Sequence, residues 1–159
     1  MGQQTNGGLT VTLPSDHEIV MTRVFDAPRE LVFAAHSKCE HLKRWWGRGN
    51  PLDCDLDFRP GGRYRFVEHA PDGGHYGFRG EYREIVPPER IVYTFEFEGM
   101  PGHVCVDTLT LTEEDGKTTL TSTTRFESVE DRDGMLASGM ETGAAASLDH
   151  LAELLRTMV

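Results

Sequence analysis

The middle of the chain alternates between apolar and polar residues, which is typical of half-buried β-strands. Tyr64 and Phe66, for example, are separated by Arg65, and successive side chains of a strand point to opposite faces. Turn sequences rich in glycine and proline separate such segments. The pattern predicts strands over residues 52–58, 63–69, 76–85, 91–98, 104–112 and 117–126. Because each strand has one polar and one apolar face, we expect an antiparallel sheet.

Two short helices are predicted between an earlier strand and this sheet. Residues 17–25 favour a strand. A helix over residues 29–37 follows, in which Asp26 is expected to cap the first turn that Pro28 opens. A second helix is predicted over residues 40–46, where Gly47 ends it.

The start of the chain is polar and glycine-rich. We expect residues 1–16 to form a flexible arm, with an edge strand over residues 9–13 as the alternative. The rest, residues 17–159, is expected to form a single domain.

The end of the chain has apolar residues three or four positions apart, which predicts one long amphipathic helix over residues 133–159. Gly139 and Gly143 lie beside this apolar stripe, and each costs about 1 kcal/mol relative to alanine inside a helix. Such glycines favour a close backbone contact or free space next to the helix. The order of elements predicts an α+β fold in which the sheet wraps around the last helix. The stripe consists of Leu136, Met140, Ala144, Leu148, Leu151, Leu155 and Met158.

Composition and charge narrow the classes of partner. The chain of 159 residues is 38% hydrophobic and 26% charged, and its formal net charge is −10. Nucleic-acid binding requires a basic surface, so we expect no nucleic-acid partner. No apolar run approaches the roughly 20 residues of a membrane helix, so no membrane insertion is expected either.

The three cysteines do not suggest a disulfide framework. Cys39, Cys54 and Cys105 are an odd number and show no Cys-x-x-Cys spacing. We therefore expect reduced thiols and a cytoplasmic location.

Candidate catalytic and metal-binding residues are scattered. His36, Cys39 and His41 have donor atoms that zinc uses, but structural zinc sites normally have four ligands. Cys54 could act as a nucleophile, yet no base accompanies it in the pattern. We therefore predict no catalytic residues, no metal ligands and no cofactor.

Aromatic residues come from many of the predicted elements. Most belong to a core, but ligand pockets are lined in the same way, by aromatic rings with a few polar groups. Small residues on the helical stripe leave space opposite these rings. The wall of such a pocket is predicted to consist of Trp45, Tyr64, Phe66, Phe78, Tyr93, Phe95, Met140, Gly143, Ala144 and Leu148.

Several sequence strings, taken in order, resemble one known family. They are RVFDAP at 23–28, EHLKRWWG at 40–47, DLDFRPGG at 55–62, FRGEYREIVPPERI at 78–91, GMETG at 139–143 and SLDHL at 147–151. The chain is similar to the C-terminal domain of the activator of heat-shock protein 90 ATPase, a member of the START-like (SRPBCC, birch-pollen-allergen-like) superfamily. The resemblance covers residues 17 to the end.

This resemblance implies a helix-grip fold, in which a curved antiparallel sheet surrounds a long C-terminal helix and two short helices close one end. It also implies an internal cavity for lipids or other apolar ligands. Ala144 stands where the family commonly has a bulky aromatic residue, which is expected to enlarge or reshape that cavity.

Three functions follow as hypotheses. The first is non-enzymatic binding of a small apolar molecule, a lipid or an aromatic compound. The second, which the resemblance implies, is stimulation of a chaperone ATPase. The third is a cyclase or hydrolase acting in the cavity, which needs an inward-pointing titratable group that the alternation does not show. Whether the chain pairs with itself stays open.

Overall fold

The computed structural model describes residues 3–6, for which only the backbone is considered, and residues 8–158. Within these residues, nine strands form one antiparallel sheet in the order β1-β2-β3-β9-β8-β7-β6-β5-β4. The strands are β1 (Gln3–Asn6), β2 (Leu9–Thr12), β3 (Glu18–Phe25), β4 (Leu52–Leu56), β5 (Arg63–His69), β6 (His75–Val86), β7 (Arg90–Phe97), β8 (Val104–Glu114) and β9 (Lys117–Arg125).

The helices lie before and after the main run of strands. They are α1 (Arg29–Ala34), α2 (Cys39–Trp45), α3 (Val129–Ala137) and α4 (Met140–Thr157), with a short 3₁₀ turn over Gly47–Gly49. The curved sheet and the C-terminal helix form the helix-grip, START-like arrangement, so the predicted α+β fold is confirmed. No helix in the described part of the chain is long and apolar enough to cross a membrane.

The alternation predicted from the sequence is present in the sheet. On β5, Tyr64 and Phe66 are buried while Arg63 and Arg65 are exposed. The odd-numbered Leu109 and Leu111 of β8 point the same way as these rings, toward the concave side. The convex side carries ion pairs such as that between Arg65 and Glu98. The core therefore lies between the concave face of the sheet and the helices.

The prediction of a single helix over residues 133–159 is wrong, because the structure has two helices there, α3 and α4, which are interrupted at residues 138–139. Gly139 has a φ of 85°, a left-handed conformation that ends a helix and that glycine adopts without steric cost. The first segment, α3, begins earlier than predicted, where the Ser128 side chain accepts a hydrogen bond from the backbone N–H of Asp131 at 3.0 Å. The second glycine, Gly143, lies within α4.

The buried stripe of α4 is also rotated from the prediction. Ala145 is buried and Ala144 is only half-buried. Leu148 and Leu151 are buried as expected. The buried face also includes Leu154. It is therefore shifted by about one residue around the helix axis relative to the predicted stripe.

The predicted cap of the first short helix is wrong. Pro28, not Asp26, is the N-cap residue of α1, and no side chain of the cap accepts a hydrogen bond. The backbone N–H of Arg29 instead donates to Glu113 Oε1 on β8 at 2.9 Å. A distant carboxylate therefore does the work that the sequence assigned to a local one.

Residues 1–16 were expected to form either a flexible arm or, over residues 9–13, an edge strand. Residues 9–12 form a strand, β2. Leu9 and Val11 are buried with 0% and 3% exposure, and β2 pairs with β3. The edge position is taken by β1 and not by β2.

The expectation of reduced thiols is wrong for two of the three cysteines. Cys39 at the start of α2 and Cys54 on β4 form a disulfide, with their Cα atoms 5.8 Å apart. Cys105 is free and buried. Packing of α2 against β4 brings the pair together, which residue counting does not detect. The cysteines therefore no longer support the predicted cytoplasmic location.

Candidate functional site

The ten predicted wall residues do not all lie in one place or at one depth. Phe78, Tyr93 and Phe95 are half-buried on the concave face. On α4, Met140 and Ala144 are also half-buried and pack against the edge of the core. Four others are buried, namely Trp45, Tyr64, Phe66 and Leu148.

Aromatic rings of β5, β6 and β7 contact one another on the concave face. The ring centroids of Phe78 and Phe95 are 5.5 Å apart, and those of Tyr64 and Tyr93 are 5.9 Å apart. Trp46, which the sequence did not place in the site, lies 4.9 Å from Phe66 and 5.1 Å from Phe78. We call these six residues, Trp46, Tyr64, Phe66, Phe78, Tyr93 and Phe95, the ring cluster.

Trp45 lies outside the ring cluster. Its indole Nε1 donates to the carbonyl oxygen of Ala35 at 3.0 Å, and its ring stacks edge-on against His36 at 4.8 Å. The two adjacent tryptophans thus have different roles, because Trp45 joins α2 to α1 and Trp46 reaches the sheet.

Gly143 points toward the 3₁₀ turn. A Cβ atom added at Gly143 would lie 3.7 Å from Cδ of Arg48, an ordinary van der Waals contact. The same turn is joined to α4 by the N–H of Arg48, which donates to Ser147 Oγ at 2.8 Å. Arg48 also donates from Nε to the buried carboxylate of Glu68 at 2.9 Å. This region joins α4 to β5 and adjoins the ring cluster, since Glu68 lies two residues beyond Phe66 on the same buried face of β5.

Beside the ring cluster lies a carboxyl group that the sequence reasoning missed. Asp107 on β8 is paired directly with Tyr93 on β7, and the Tyr93 hydroxyl donates to Asp107 Oδ2 at 2.9 Å. The hydroxyl of Ser122 on β9 donates to Oδ1 at 2.8 Å. Asp107 has the same strand parity as Cys105 and Leu109, both buried, and that parity is the sequence signal that could have revealed it.

The environment of Asp107 favours its protonated form. Burial raises the pKa of Asp107 to about 6, although the hydrogen bonds from Ser122 and Tyr93 partly oppose this by stabilising the carboxylate. Burial likewise raises the pKa of Tyr93 well above its ordinary value, with a further contribution from the nearby Asp107 carboxylate. Because the pKa of Tyr93 is raised, its phenol keeps the proton and donates the hydrogen bond to Asp107.

Tyr64 supplies a buried hydroxyl near this pair. It donates to the carbonyl oxygen of Thr94 at 2.7 Å, and burial raises the pKa of Tyr64 well above its ordinary value. This hydrogen bond fixes the Tyr64 ring within the ring cluster. The polar groups beside the cluster belong to Asp107, Tyr93 and Ser122, and we call these three residues the polar triad.

The metal-ligand and nucleophile candidates from the sequence are not assembled. Cys39 and Cys54 are joined to each other. His36 places its Nδ1 2.8 Å from the carbonyl oxygen of Val32, and burial lowers the pKa of His36 to about 4. No group of three or more histidine, cysteine, aspartate or glutamate residues in the described part of the chain is arranged to hold a metal ion.

Two surface depressions lie away from the ring cluster. One, of about 280 Å³, is lined by residues of β3 and α4, including Arg23 and Asp149. The other, of about 120 Å³, lies on the convex side between β4 and β5, next to Asp53 and Arg65. Neither depression is lined by any of the ten predicted wall residues.

A family comparison identifies the fold's relatives. The family described as "Activator of Hsp90 ATPase homolog 1-like protein" matches residues 26–156. The chain belongs to this family. The match covers most of the chain, and it confirms the resemblance read from the ordered sequence strings. Membership of this START-like family supports a ligand-binding type of domain in general.

Solved structures of similar proteins have the same fold. A protein of Rhodobacter sphaeroides is 26% identical with a TM-score of 0.86, and the match covers 95% of this chain and 99% of that one. Ms6760 of Mycobacterium smegmatis is 27% identical with a TM-score of 0.84, covering 94% and 98%. CV1439 of Chromobacterium violaceum is 29% identical with a TM-score of 0.78, covering 89% and 98%. No curated protein matches the chain.

Proposed function

We propose that this protein binds a small, largely apolar molecule that carries one polar group, on the concave face between the sheet and α4. The ring cluster contacts the apolar part, and the polar triad contacts the polar group. The observation that carries the proposal is the position of the Asp107 carboxyl, which lies among aromatic side chains and is hydrogen-bonded to Tyr93 and Ser122.

The half-buried rings support the apolar part of the proposal. Phe78, Tyr93 and Phe95 remain partly exposed although they lie on the core side of the sheet. Met140 and Ala144 are similarly half-buried on the helical side. Ligand sites combine such apolar walls with a few convergent polar groups.

The polar triad supports the presence of one polar group on the ligand. Asp107 is half-buried, and withdrawing a carboxyl from water costs stability because it disfavours the charged form. Each carboxyl oxygen of Asp107 accepts one protein hydrogen bond and has a second lone pair that can accept another. A hydroxyl or amine group of a ligand is the matching donor.

Thermal-shift measurements with matched pairs of compounds test this proposal. Naphthalene derivatives with and without a hydroxyl or amino group are suitable probes, together with native mass spectrometry of the purified protein to detect a retained molecule. We expect larger stabilisation by the hydroxyl or amino compound, and loss of this preference in Asp107→Asn.

A bulky side chain at the helix tests the location. If the ligand lies between the ring cluster and α4, Ala144→Trp is expected to abolish the thermal shift. Thr142→Trp, at an exposed position of the same helix, should leave it unchanged. If no probe stabilises the protein and no molecule is retained, the proposal is wrong. It is also wrong if Ala144→Trp leaves binding intact.

Acid–base catalysis is the second candidate, and the pKa of Asp107 favours it. A group whose pKa is about 6 is suited to exchange protons near neutral pH. The enzyme hypothesis required an inward titratable group, and Asp107 is such a group. Incubation of the protein with ester and epoxide probes tests this candidate. A rate that rises with ionisation near pH 6 and disappears in Asp107→Asn would support it, and no turnover would exclude these reactions.

A further inference from the structure

Two histidines face each other on the convex side of the sheet, away from the ring cluster. His69 and His75 are the last directly paired residues of β5 and β6 before the turn that connects these strands. Their Nδ1 atoms are 2.6 Å apart, and their ring centroids are 4.7 Å apart. The strand pairing therefore holds two imidazole groups with their nitrogens directed at each other.

A carboxylate on the neighbouring strand orients one of the rings. Nε2 of His69 is 2.9 Å from Oδ2 of Asp53 on β4. An ionised carboxylate only accepts hydrogen bonds, so this contact requires that Nε2 of His69 carry a hydrogen. In neutral His69, Nδ1 is then an acceptor, and at 2.6 Å it accepts a hydrogen bond from the Nδ1–H of His75.

The contact of His69 with Asp53 is of the kind that metal-binding histidines make. A coordinating imidazole commonly donates its other N–H to a carboxylate, which fixes the tautomer and the ring orientation. Two nitrogens bound to one ion at about 2.0–2.1 Å, with an angle of about 90–110° between the bonds, lie about 2.9–3.4 Å apart. At the observed separation of 2.6 Å the two nitrogens share a hydrogen bond. Binding an ion therefore requires His75 to move its hydrogen to Nε2 and both surface rings to rotate until each Nδ1 lone pair points at the ion.

The surroundings are accessible and suit a cation. The side chain of His69 is 34% exposed and that of Asp53 is 74% exposed, and His75 is also exposed. Asp55 lies two residues beyond Asp53 on the same face of β4. Arg65, which lines the same depression as Asp53, donates from Nε to Glu98 at 2.7 Å.

We propose that His69 and His75 bind one divalent transition-metal ion, of the kind that prefers imidazole ligands (Zn²⁺, Ni²⁺ or Cu²⁺), with Asp53 as the carboxylate that orients His69. The two histidine Nδ1 atoms are the protein ligands and water completes the coordination. The cysteines do not compete for the ion, because Cys39 and Cys54 are bonded to each other and Cys105 is buried.

Isothermal titration of the untagged protein with ZnCl₂ and NiCl₂ tests the site. We expect one ion per chain, and a loss of affinity of at least about 10-fold in His69→Ala and in His75→Ala. Asp53→Asn keeps both nitrogens and is expected to weaken binding by about 10- to 100-fold, the range found for outer-shell partners. In ¹⁵N NMR spectra, the Nδ1 resonances of both histidines should shift.

A matched control distinguishes this pair from any surface histidine. His103 contacts Asp131 through Nδ1 at 2.7 Å, so His103→Ala removes an equivalent histidine–carboxylate pair and should leave metal binding unchanged. The proposal is overturned if His75→Ala binds as tightly as the unmodified protein. It is equally overturned if His103→Ala causes the same loss, or if the titration detects no binding.

Discussion

Tyr93 and Asp107 lie directly opposite each other on β7 and β8, and the Tyr93 hydroxyl donates to Asp107 Oδ2 at 2.9 Å. This contact places a carboxyl on the concave side of a sheet whose other inward positions are mainly apolar or aromatic. Ser122 binds the second carboxyl oxygen from β9. Three neighbouring strands thus converge on one titratable group. Burial raises the pKa of Asp107 above that of a surface aspartate, and the two hydrogen bonds only partly oppose this.

Asp107 is expected to make the protein less stable as the pH rises. Burial raises the pKa of Asp107 from 3.8 to about 6. Between these values the folded state binds more protons than the unfolded state, so the free energy of unfolding falls with increasing pH and levels off above pH 6. The difference corresponds to at most about 3 kcal/mol, at 1.36 kcal/mol per pKa unit. Asp107→Asn removes this dependence and should be more stable than the unmodified protein at pH 7.5.

Urea unfolding of both proteins at pH 4, 5, 6 and 7.5 measures the effect. Asp16→Asn, at an exposed position, serves as the control and should retain the pH dependence of the unmodified protein. Equal pH dependence in Asp107→Asn and in the unmodified protein would show that the carboxyl does not titrate as described.

Tyr93→Phe is expected to raise the pKa of Asp107 further. The Tyr93 hydroxyl stabilises the charged carboxylate by a hydrogen bond, so its removal favours the protonated acid. The titration of the Asp107 side-chain carbon in ¹³C NMR spectra measures this shift directly. As a control, Tyr76→Phe on β6 should leave the pKa of Asp107 unchanged. A lower or unchanged pKa in Tyr93→Phe would contradict the role assigned to this bond.

The strands and their arrangement were predictable because alternation is a local property of the sequence. The prediction for residues 63–69 coincides with β5, where arginines alternate with aromatic rings. The helix-grip arrangement followed from the order of elements and from the family resemblance. Long-range information was required elsewhere. The cap of α1 comes from Glu113, far along the chain, and the Cys39–Cys54 pair depends on how α2 packs against β4.

The candidate site was only partly predictable. Aromatic residues at inward parity identified most of the ring cluster, but the sequence did not distinguish Trp45 from Trp46, because one residue along a short helix changes the direction of the side chain. Asp107 was missed because a polar residue within an alternating strand is usually assigned to the solvent-exposed face of the sheet. The phase of the flanking apolar residues Cys105 and Leu109 identifies it as inward-facing.

Two glycines of the C-terminal region are expected to respond in opposite ways to the same substitution. A Cβ atom at Gly134 or at Gly139 would meet nothing within 4 Å, so only the backbone differs. Gly134 lies inside α3, and Gly134→Ala should stabilise the protein by about 0.5–1 kcal/mol. Gly139 has a φ of 85°, and Gly139→Ala should destabilise it by about 1–2 kcal/mol. Chemical denaturation of both variants checks the pair, and effects of the same sign would exclude a helix break at Gly139.

The reactivity of the thiols is expected to depend on reduction and on unfolding. In the folded protein Cys39 and Cys54 are joined, and burial raises the pKa of the Cys105 thiol to about 12. Because the thiolate is the reactive form, iodoacetamide at pH 8 should label no cysteine of the native protein. Mild reduction should expose Cys39 and Cys54 to labelling and lower the stability by about 3 kcal/mol, the entropic estimate for a closed loop of about 15 residues. Cys105 should react only after denaturation.

Mass spectrometry of the labelled peptides gives the result, with Cys105→Ala as the control that should leave the labelling of the other two unchanged. Labelling of Cys39 in native protein without reductant would show that the bond is absent.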